Sequence, residues 1–218
     1  MRLADFAGTA ARFMHGEVRR ILDIGSGDGV LLPELAAFFP RAHLVGVDLS
    51  RPNILLARQS CDVPNVSFVE AYYMGFDDRP FDMIVSYSTI NLLPVGEGVL
   101  LGKVAGDMAR GGVFIVSMPD DCLYNRAVSL VRQMLRLIRS DFLDALIFRV
   151  GRLTTPRDVS DEQILQNVGY MYIVPLHVYR SSFRNAACNA GLELVHAERE
   201  PSPSVSKLRH VTIVFRKM

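Results

Sequence analysis

Apolar positions along this chain change period repeatedly, and the changes mark its elements. Leu3, Phe6, Ala10, Phe13 and Met14 recur near one face at helical spacing, which predicts an amphipathic helix over 3–19. Short continuous apolar runs then alternate with helical ones. Strand 21–24 precedes helix 30–39, strand 44–48 precedes helix 52–60, and strand 66–70 follows. Strand 83–86 and helix 96–109 come next. Gly111-Gly112 turns the chain into strand 113–117. Five strands with helical crossovers predict a parallel, doubly wound sheet. Their unbroken apolar runs suit strands covered on both faces.

The alternation stops after Pro119. Residues 122–150 read as one long helix or two. Val128, Val131, Leu135, Ile138 and Phe142 make an apolar stripe, with Arg132, Arg136 and Arg139 beside it. Residues 151–167 are polar and irregular, and Tyr170 to Val178 is expected to be extended. Ser181 or Ser182 is expected to cap a helix ending at Ala190, with Gly191 in the C-terminal cap position. Strands 192–198 and 210–216 close the chain. Joined without a helix, they should pair antiparallel.

Composition narrows the classes. The 218 residues suit one domain with an elaboration, and half of them are hydrophobic, enough for a large core. A net charge of +1 gives no whole-chain argument for a nucleic-acid partner. Cys61, Cys122 and Cys188 are too few and too scattered for a disulfide framework or a zinc site, so no metal is expected and a reducing cytoplasm fits. Arg2, Asp5 and Arg12 interrupt any signal-like apolar core, and no run approaches the roughly 18 apolar residues of a membrane span. Peripheral membrane contact stays open.

The chemistry concentrates at Ile21-Leu22-Asp23-Ile24-Gly25-Ser26-Gly27-Asp28-Gly29-Val30. A strand runs into three glycines spaced two apart, and a helix follows. Glycines at such a turn let the backbone approach a ligand where a Cβ would collide. The next strand ends on Asp48, placed to accept both hydroxyls of a ribose. An adenosine-containing cofactor is implied. A nicotinamide fingerprint wants its third glycine at the position of Val30. Here that glycine comes one residue early, at Gly29.

The whole arrangement resembles a class I S-adenosylmethionine-dependent methyltransferase of the small-molecule type. The resemblance is carried by Asp23 to Gly29 and by Val47-Asp48-Leu49-Ser50. Phe81-Asp82-Met83-Ile84-Val85-Ser86, with Ile90-Asn91-Leu92-Leu93-Pro94 after it, adds to it. So do Arg110-Gly111-Gly112-Val113-Phe114 and the helix from Tyr179 to Leu192. It implies an α/β, Rossmann-like doubly wound sheet of seven strands, the last antiparallel, with a helical lid insertion after strand five. One domain is implied over 1–218: a core of 20–118 and 179–217, an N-terminal helix 1–19, and a lid and substrate insertion 119–178.

The resemblance also assigns roles. Gly25, Ser26, Gly27 and Gly29 would lie against the methionine and ribose parts of S-adenosyl-L-methionine, or of its product S-adenosyl-L-homocysteine. Asp23 would hold the amino group, Asp48 the ribose, and Leu49 would lie on adenine. The third strand departs from the family pattern. Tyr72 stands where an acid often contacts adenine, so Ala71, Tyr72 and Tyr73 become the adenine candidates, and Ser86 completes the cofactor set.

The acceptor side is read more coarsely. All seven tyrosines fall between Tyr72 and Tyr179, in the span that supplies the rim and lid. Tyr87, Asn91, Tyr124, Tyr170 and Tyr172 are the candidates for a small substrate, anionic or aromatic, or else ordinary lid packing. His177, just before the last helix, is the candidate base; His196 and His210 are expected to lie away from the pocket. Residues 122–157 hold seven arginines and two aspartates. This row reads as a solvated edge, an anion-recognition face, or a rest on an anionic membrane. The expected activity is methyl transfer to a small molecule, oxygen first, then nitrogen or carbon. The alternatives are a catalytically silent cofactor-binding partner and a nicotinamide-dependent oxidoreductase.

Overall fold

The computed structural model describes residues 3–14, 16–78, 80–154, 161, 164, 168–169, 171–200 and 208–218. The chain divides into two compact units. One is Met1–Asp121 with Leu176–Met218; the other is Cys122–Pro175.

The first unit is built on one seven-stranded sheet. Its strands are β1 (Arg20–Ile24), β2 (His43–Asp48), β3 (Val66–Glu70), β4 (Phe81–Tyr87), β5 (Met108–Pro119), β6 (Leu192–Arg199) and β7 (His210–Lys217). They lie in the order β3-β2-β1-β4-β5-β7-β6. β1 to β5 are parallel, and β7 runs antiparallel to both β5 and β6. The expected architecture and the antiparallel closing pair are both present.

Successive residues of each central strand face opposite sides. Leu22, Val45, Ile84 and Phe114 join one core with α4 (Glu97–Asp107) and α7 (Ser181–Asn189). Ile21, Leu44, Met83 and Val113 join the other with α1 (Leu3–Phe13), α2 (Leu31–Phe38) and α3 (Arg51–Ser60). Both faces are therefore covered, which accounts for the unbroken apolar runs. The outer strand β6 instead exposes Glu193, Glu198 and Arg199. Charges along an outer strand discourage further pairing.

Three local expectations are corrected. The first helix ends at Phe13 rather than at residue 19. Glu17 and Arg19 lie beyond it, and the backbone N–H groups of Arg19 and Arg20 are taken by Asp82 Oδ2 at 2.8 and 2.9 Å. Arg180, not a serine, caps α7, and it makes no side-chain cap bond. The described part of 170–178 forms no strand. Residues 171 and 172 turn, and the N–H groups of Leu176 and His177 both donate to the Asn91 carbonyl. A lone bridge of Tyr179 to Asp120 is all the pairing that segment makes among the described residues.

The second unit holds α5 (Leu123–Leu137) and α6 (Asp141–Thr154), so the long apolar stretch is two helices. Ser140 makes the break. Its hydroxyl accepts from Leu143 N and its carbonyl from Asp144 N, which starts a new helix. Tyr172 packs inside this unit, with its hydroxyl on Asp144 and the Arg139 guanidinium 4.6 Å from its ring centre. Arg132 donates to the Ile173 carbonyl at 2.9 Å. Two of the three arginines in the row are therefore used within the unit.

Candidate functional site

Strand order reverses between β1 and β4, the point where open α/β sheets bind ligands beyond the carboxyl ends of their strands. The glycine turn lies there. Gly25 N and Ser26 N both donate to the Val47 carbonyl, at 2.8 and 3.0 Å, which docks the turn onto β2. Gly25 and Gly29 have φ of +75° and +82°, a region that disfavours side chains. A Cβ on Gly25 would strike the Thr89 side chain, and one on Gly29 would strike Phe68 and Ala57. The turn is thus held tight against its own scaffold on one side.

Asp48 joins strand to turn. One carboxylate oxygen accepts from Gly27 N at 2.9 Å and the other from Ser50 N at 2.7 Å. Each oxygen keeps acceptor capacity for a further donor. The cap of α3 is Ser50, whose hydroxyl takes Asn53 N. Asp48 is therefore spared the capping role.

Asp23 is the most strongly perturbed acid at this edge. It is buried, and its Oδ1 has no hydrogen-bond partner. Burial, and then the charge of Asp48, push its pKa up to about 7. An orphaned buried carboxylate oxygen is costly unless a donor arrives. An ammonium group supplies such a donor, and the pair of acids next to a glycine turn fits a cofactor that carries both an amino group and a ribose. Ser26 Oγ, also buried and unpartnered, adds a polar group on the turn.

The adenine candidates separate. Leu49 is exposed at the lip, Tyr72 is partly exposed, and Ala71 N donates to the Asp48 carbonyl at 3.0 Å. Tyr73 points elsewhere: its ring is in the core and its hydroxyl donates to Asp107 at 3.0 Å. Burial, then Asp107, raise the Tyr73 pKa well above the usual phenol range. Its side chain is structural, which corrects its place among the cofactor residues.

The loop after β4 supplies the opposite wall. Ser86 is fully buried and works as a staple, donating to the Ile24 carbonyl and accepting from Ile90 N. Thr89 donates to the Gly25 carbonyl at 3.2 Å, a contact that the pattern of the chain did not signal. Asn91 is buried with an unpartnered Oδ1, while its backbone carbonyl anchors Leu176 and His177. His177 is buried too, and its Nε2 lies 2.9 Å from the Leu93 carbonyl. A carbonyl only accepts, so Nε2 carries the hydrogen and the ring braces the loop. That arrangement commits Nε2 of His177, the candidate base, to the loop. Tyr87 is half-buried, its ring centre 5.2 Å from that of Phe6 in an edge-to-face pair. Tyr124 and Tyr172 belong to the second unit, and Tyr172 is part of its packing. Tyr170 lies outside the described residues.

His210 was expected away from the site, and the structure reverses this. Because β7 is antiparallel to β5, its first residue pairs with Pro119 at the carboxyl edge of the sheet. His210 Nδ1 lies 3.1 Å from Ser88 Oγ and 3.2 Å from Ser117 Oγ. The Ser117 hydroxyl gives its proton to Glu200 Oε1, which also accepts from Thr212. Ser117 can then only accept from His210. A hydrogen on Nδ1 suits Ser117 and leaves Nε2 as the accepting nitrogen, while Ser88 can act as donor or acceptor. Ser88 has φ +60°, the one described non-glycine residue with positive φ. Such strain gathers at functional sites.

Residues 21–112 match a family model described as a methyltransferase domain. Trans-aconitate 2-methyltransferase of Acidovorax sp. (strain JS42) is 31% identical over 112 residues, 51% of this chain and 42% of that protein. Fatty-acid O-methyltransferase of Mycolicibacterium smegmatis is 31% identical over 101 residues, 45% of this chain and 36% of that protein. The chain thus spans less than half the length of these curated relatives. Among solved structures, the N-methyltransferase NodS of Bradyrhizobium japonicum WM9, in complex with S-adenosyl-L-homocysteine, superposes with a TM-score of 0.61. That superposition covers 99% of this chain and 83% of NodS at 14% identity. Residues 21–112 thus match a methyltransferase domain, and the fold is similar to that of solved S-adenosylmethionine-dependent methyltransferases.

Proposed function

We propose that this chain transfers a methyl group from S-adenosyl-L-methionine to an oxygen of a small molecule, with a carboxylate as the first candidate. The observation that carries the reading is the buried, unpartnered Asp23 oxygen beside the positive-φ glycine turn and Asp48. Asp23 and the turn would hold the amino-acid end of the cofactor, Asp48 the ribose, and Leu49, Ala71 and Tyr72 the adenine. When bound, the cofactor supplies a methyl carbon already activated by a sulfonium, so the protein's main task is to position two reactants.

Two relatives carry acids as acceptors in their names, trans-aconitate 2-methyltransferase and fatty-acid O-methyltransferase, and the second also names oxygen. A carboxylate is ionised at neutral pH and has no proton to give up. A hydroxyl does, and His210, held by Ser88 and Ser117 and backed by Glu200, is the base we assign to that case. His210→Gln should then lower transfer to a hydroxyl acceptor by on the order of 100-fold. Transfer to a carboxylate acceptor should change only a few-fold.

Calorimetry with S-adenosyl-L-homocysteine tests the donor half, and Asp48→Ala should weaken binding at least about 100-fold. Binding of a nicotinamide nucleotide in its place would overturn the reading. Transfer of a labelled methyl group to a panel of carboxylic acids, phenols and amines tests the acceptor half. Label recovered only on amines refutes the oxygen assignment. Cofactor binding with no transfer to any acceptor would favour a silent partner.

A further inference from the structure

The two helices of the second unit leave their apolar faces uncovered. On α5, Leu123, Leu130, Met134 and Leu137 follow one another at spacings of seven, four and three, and all are exposed, Leu137 by 86%. On α6, Phe142, Leu146, Val150 and Leu153 do the same at four, four and three, with Phe142 80% exposed. Each set is a single stripe on its helix. The half-buried residues of the same helices lie to one side of these stripes, Val128 and Leu135 well round α5, and Leu143 and Ile147 next to the Val150 edge on α6. Large apolar patches left open to water mark interaction sites.

Charge decides the partner. On a helical wheel Arg126 borders the α5 stripe and Arg149 that of α6, whereas Arg136 and Arg152 sit about 80–100° from them and Arg152 is paired with Asp161 at 3.3 Å. α5 contains no acid. A second copy docked through α5 would set arginine against arginine with no carboxylate on that helix to pair them. An apolar stripe edged by arginines matches instead the boundary between acyl chains and anionic headgroups. Long arginine stems let the guanidinium reach the phosphates while the stripe is immersed.

We infer that α5 and α6 form a docking surface for an anionic lipid bilayer, on which the protein rests without spanning it. Among the described residues no helix is long and apolar enough to cross. The inference does not depend on methyl transfer, because its readout is binding.

The test is sedimentation of the full chain with vesicles of phosphatidylcholine alone or with about one third phosphatidylglycerol. Partition should be at least about tenfold stronger onto the anionic vesicles and should weaken as salt rises. The double variant Leu130→Gln, Leu137→Gln should cut it at least about tenfold. Arg136→Ala with Arg149→Ala should cut it at low salt but much less at high salt. All four positions are exposed, so the fold should survive, and an unchanged melting temperature checks this. No partition onto the anionic vesicles, or equal partition onto both kinds, would overturn the inference. So would a mass that doubles with concentration, is lost in the leucine variant, and is unaccompanied by vesicle binding; that result identifies a second copy as the partner.

Discussion

Each unit of this protein contains a tyrosine, an aspartate and a cation in mutual contact, and the two triads sit in opposite surroundings. In the sheet unit, the Tyr73 hydroxyl donates to Asp107, and Lys103 Nζ lies 2.7 Å from the same carboxylate, which is nearly inaccessible. In the helical unit, Tyr172 donates to Asp144, and Arg139 lies 3.3 Å from a partly exposed carboxylate. There the Tyr172 hydrogen bond, and then Arg139, hold the Asp144 carboxyl below its ordinary value. Large apolar residues repeat the contrast: Phe114 on β5 is fully buried, whereas Leu137 on α5 is almost wholly exposed. The tyrosine is buried in both units, but the carboxylate is sealed in one and partly exposed in the other. The sheet unit buries its large apolar residues, whereas the helical unit leaves several of its own exposed.

Mutations can break this contrast. Phe114→Ala should cost about 3–5 kcal/mol in urea unfolding, because it empties a packed core. A loss below about 1 kcal/mol would mean that the sheet is not tightly packed there. Asp23→Asn should come next, and its effect should depend on pH. In the unfolded chain Asp23 ionises near ~4, whereas in the native chain its pKa is pushed up to about 7. Between those values the native state holds a proton that the unfolded state has lost. Asp23 therefore makes stability fall as pH rises from about 4 to about 7. Denaturant melts at pH 5 and pH 7.5 should show the Asn variant gaining on the wild type at the higher pH, by about 2.5 kcal/mol. A constant difference would contradict the burial of Asp23.

Lys103→Ala should cost about 3 kcal/mol, since it leaves the Asp107 carboxylate buried without its cation. The matching change in the helical unit, Arg139→Ala, should cost clearly less in the same assay. Equal losses would erase the distinction between the triads. Leu137→Gln should have the smallest effect, within about 0.5 kcal/mol, because the side chain is already in water. A large loss would show that the α5 stripe is covered by protein.

Much of the donor side was legible in the chain itself. Strand, glycine turn, helix and the acid closing the next strand are local patterns, set by sterics and periodicity over a few residues, and they fall where expected. Asp23 and Asp48 were legible for the same reason: each is fixed by its distance from the glycines. Thr89 was not, because nothing near it in sequence signals that its side chain fills the space beside Gly25. Tyr73 was misplaced because the chain turns there: a short 3-10 helix opens at Tyr73, directly after the extended Tyr72. Tyr72 meets solvent while Tyr73 turns into the core toward Asp107, some thirty-four positions along the chain.

What the sequence determined alone is the alternation of elements and the glycine turn with its two acids, since these depend on neighbours along the chain. Tertiary structure decided where the histidines lie. His210 reaches Ser88, 122 residues away, only because β7 enters the sheet in reverse and brings its first residue to the carboxyl edge. His177 becomes a brace because the segment before α7 hangs from the Asn91 carbonyl. The orphaned oxygen of Asp23 likewise exists only once the sheet closes over it. Pairings across such separations are set by strand direction and register, and no local period encodes either one.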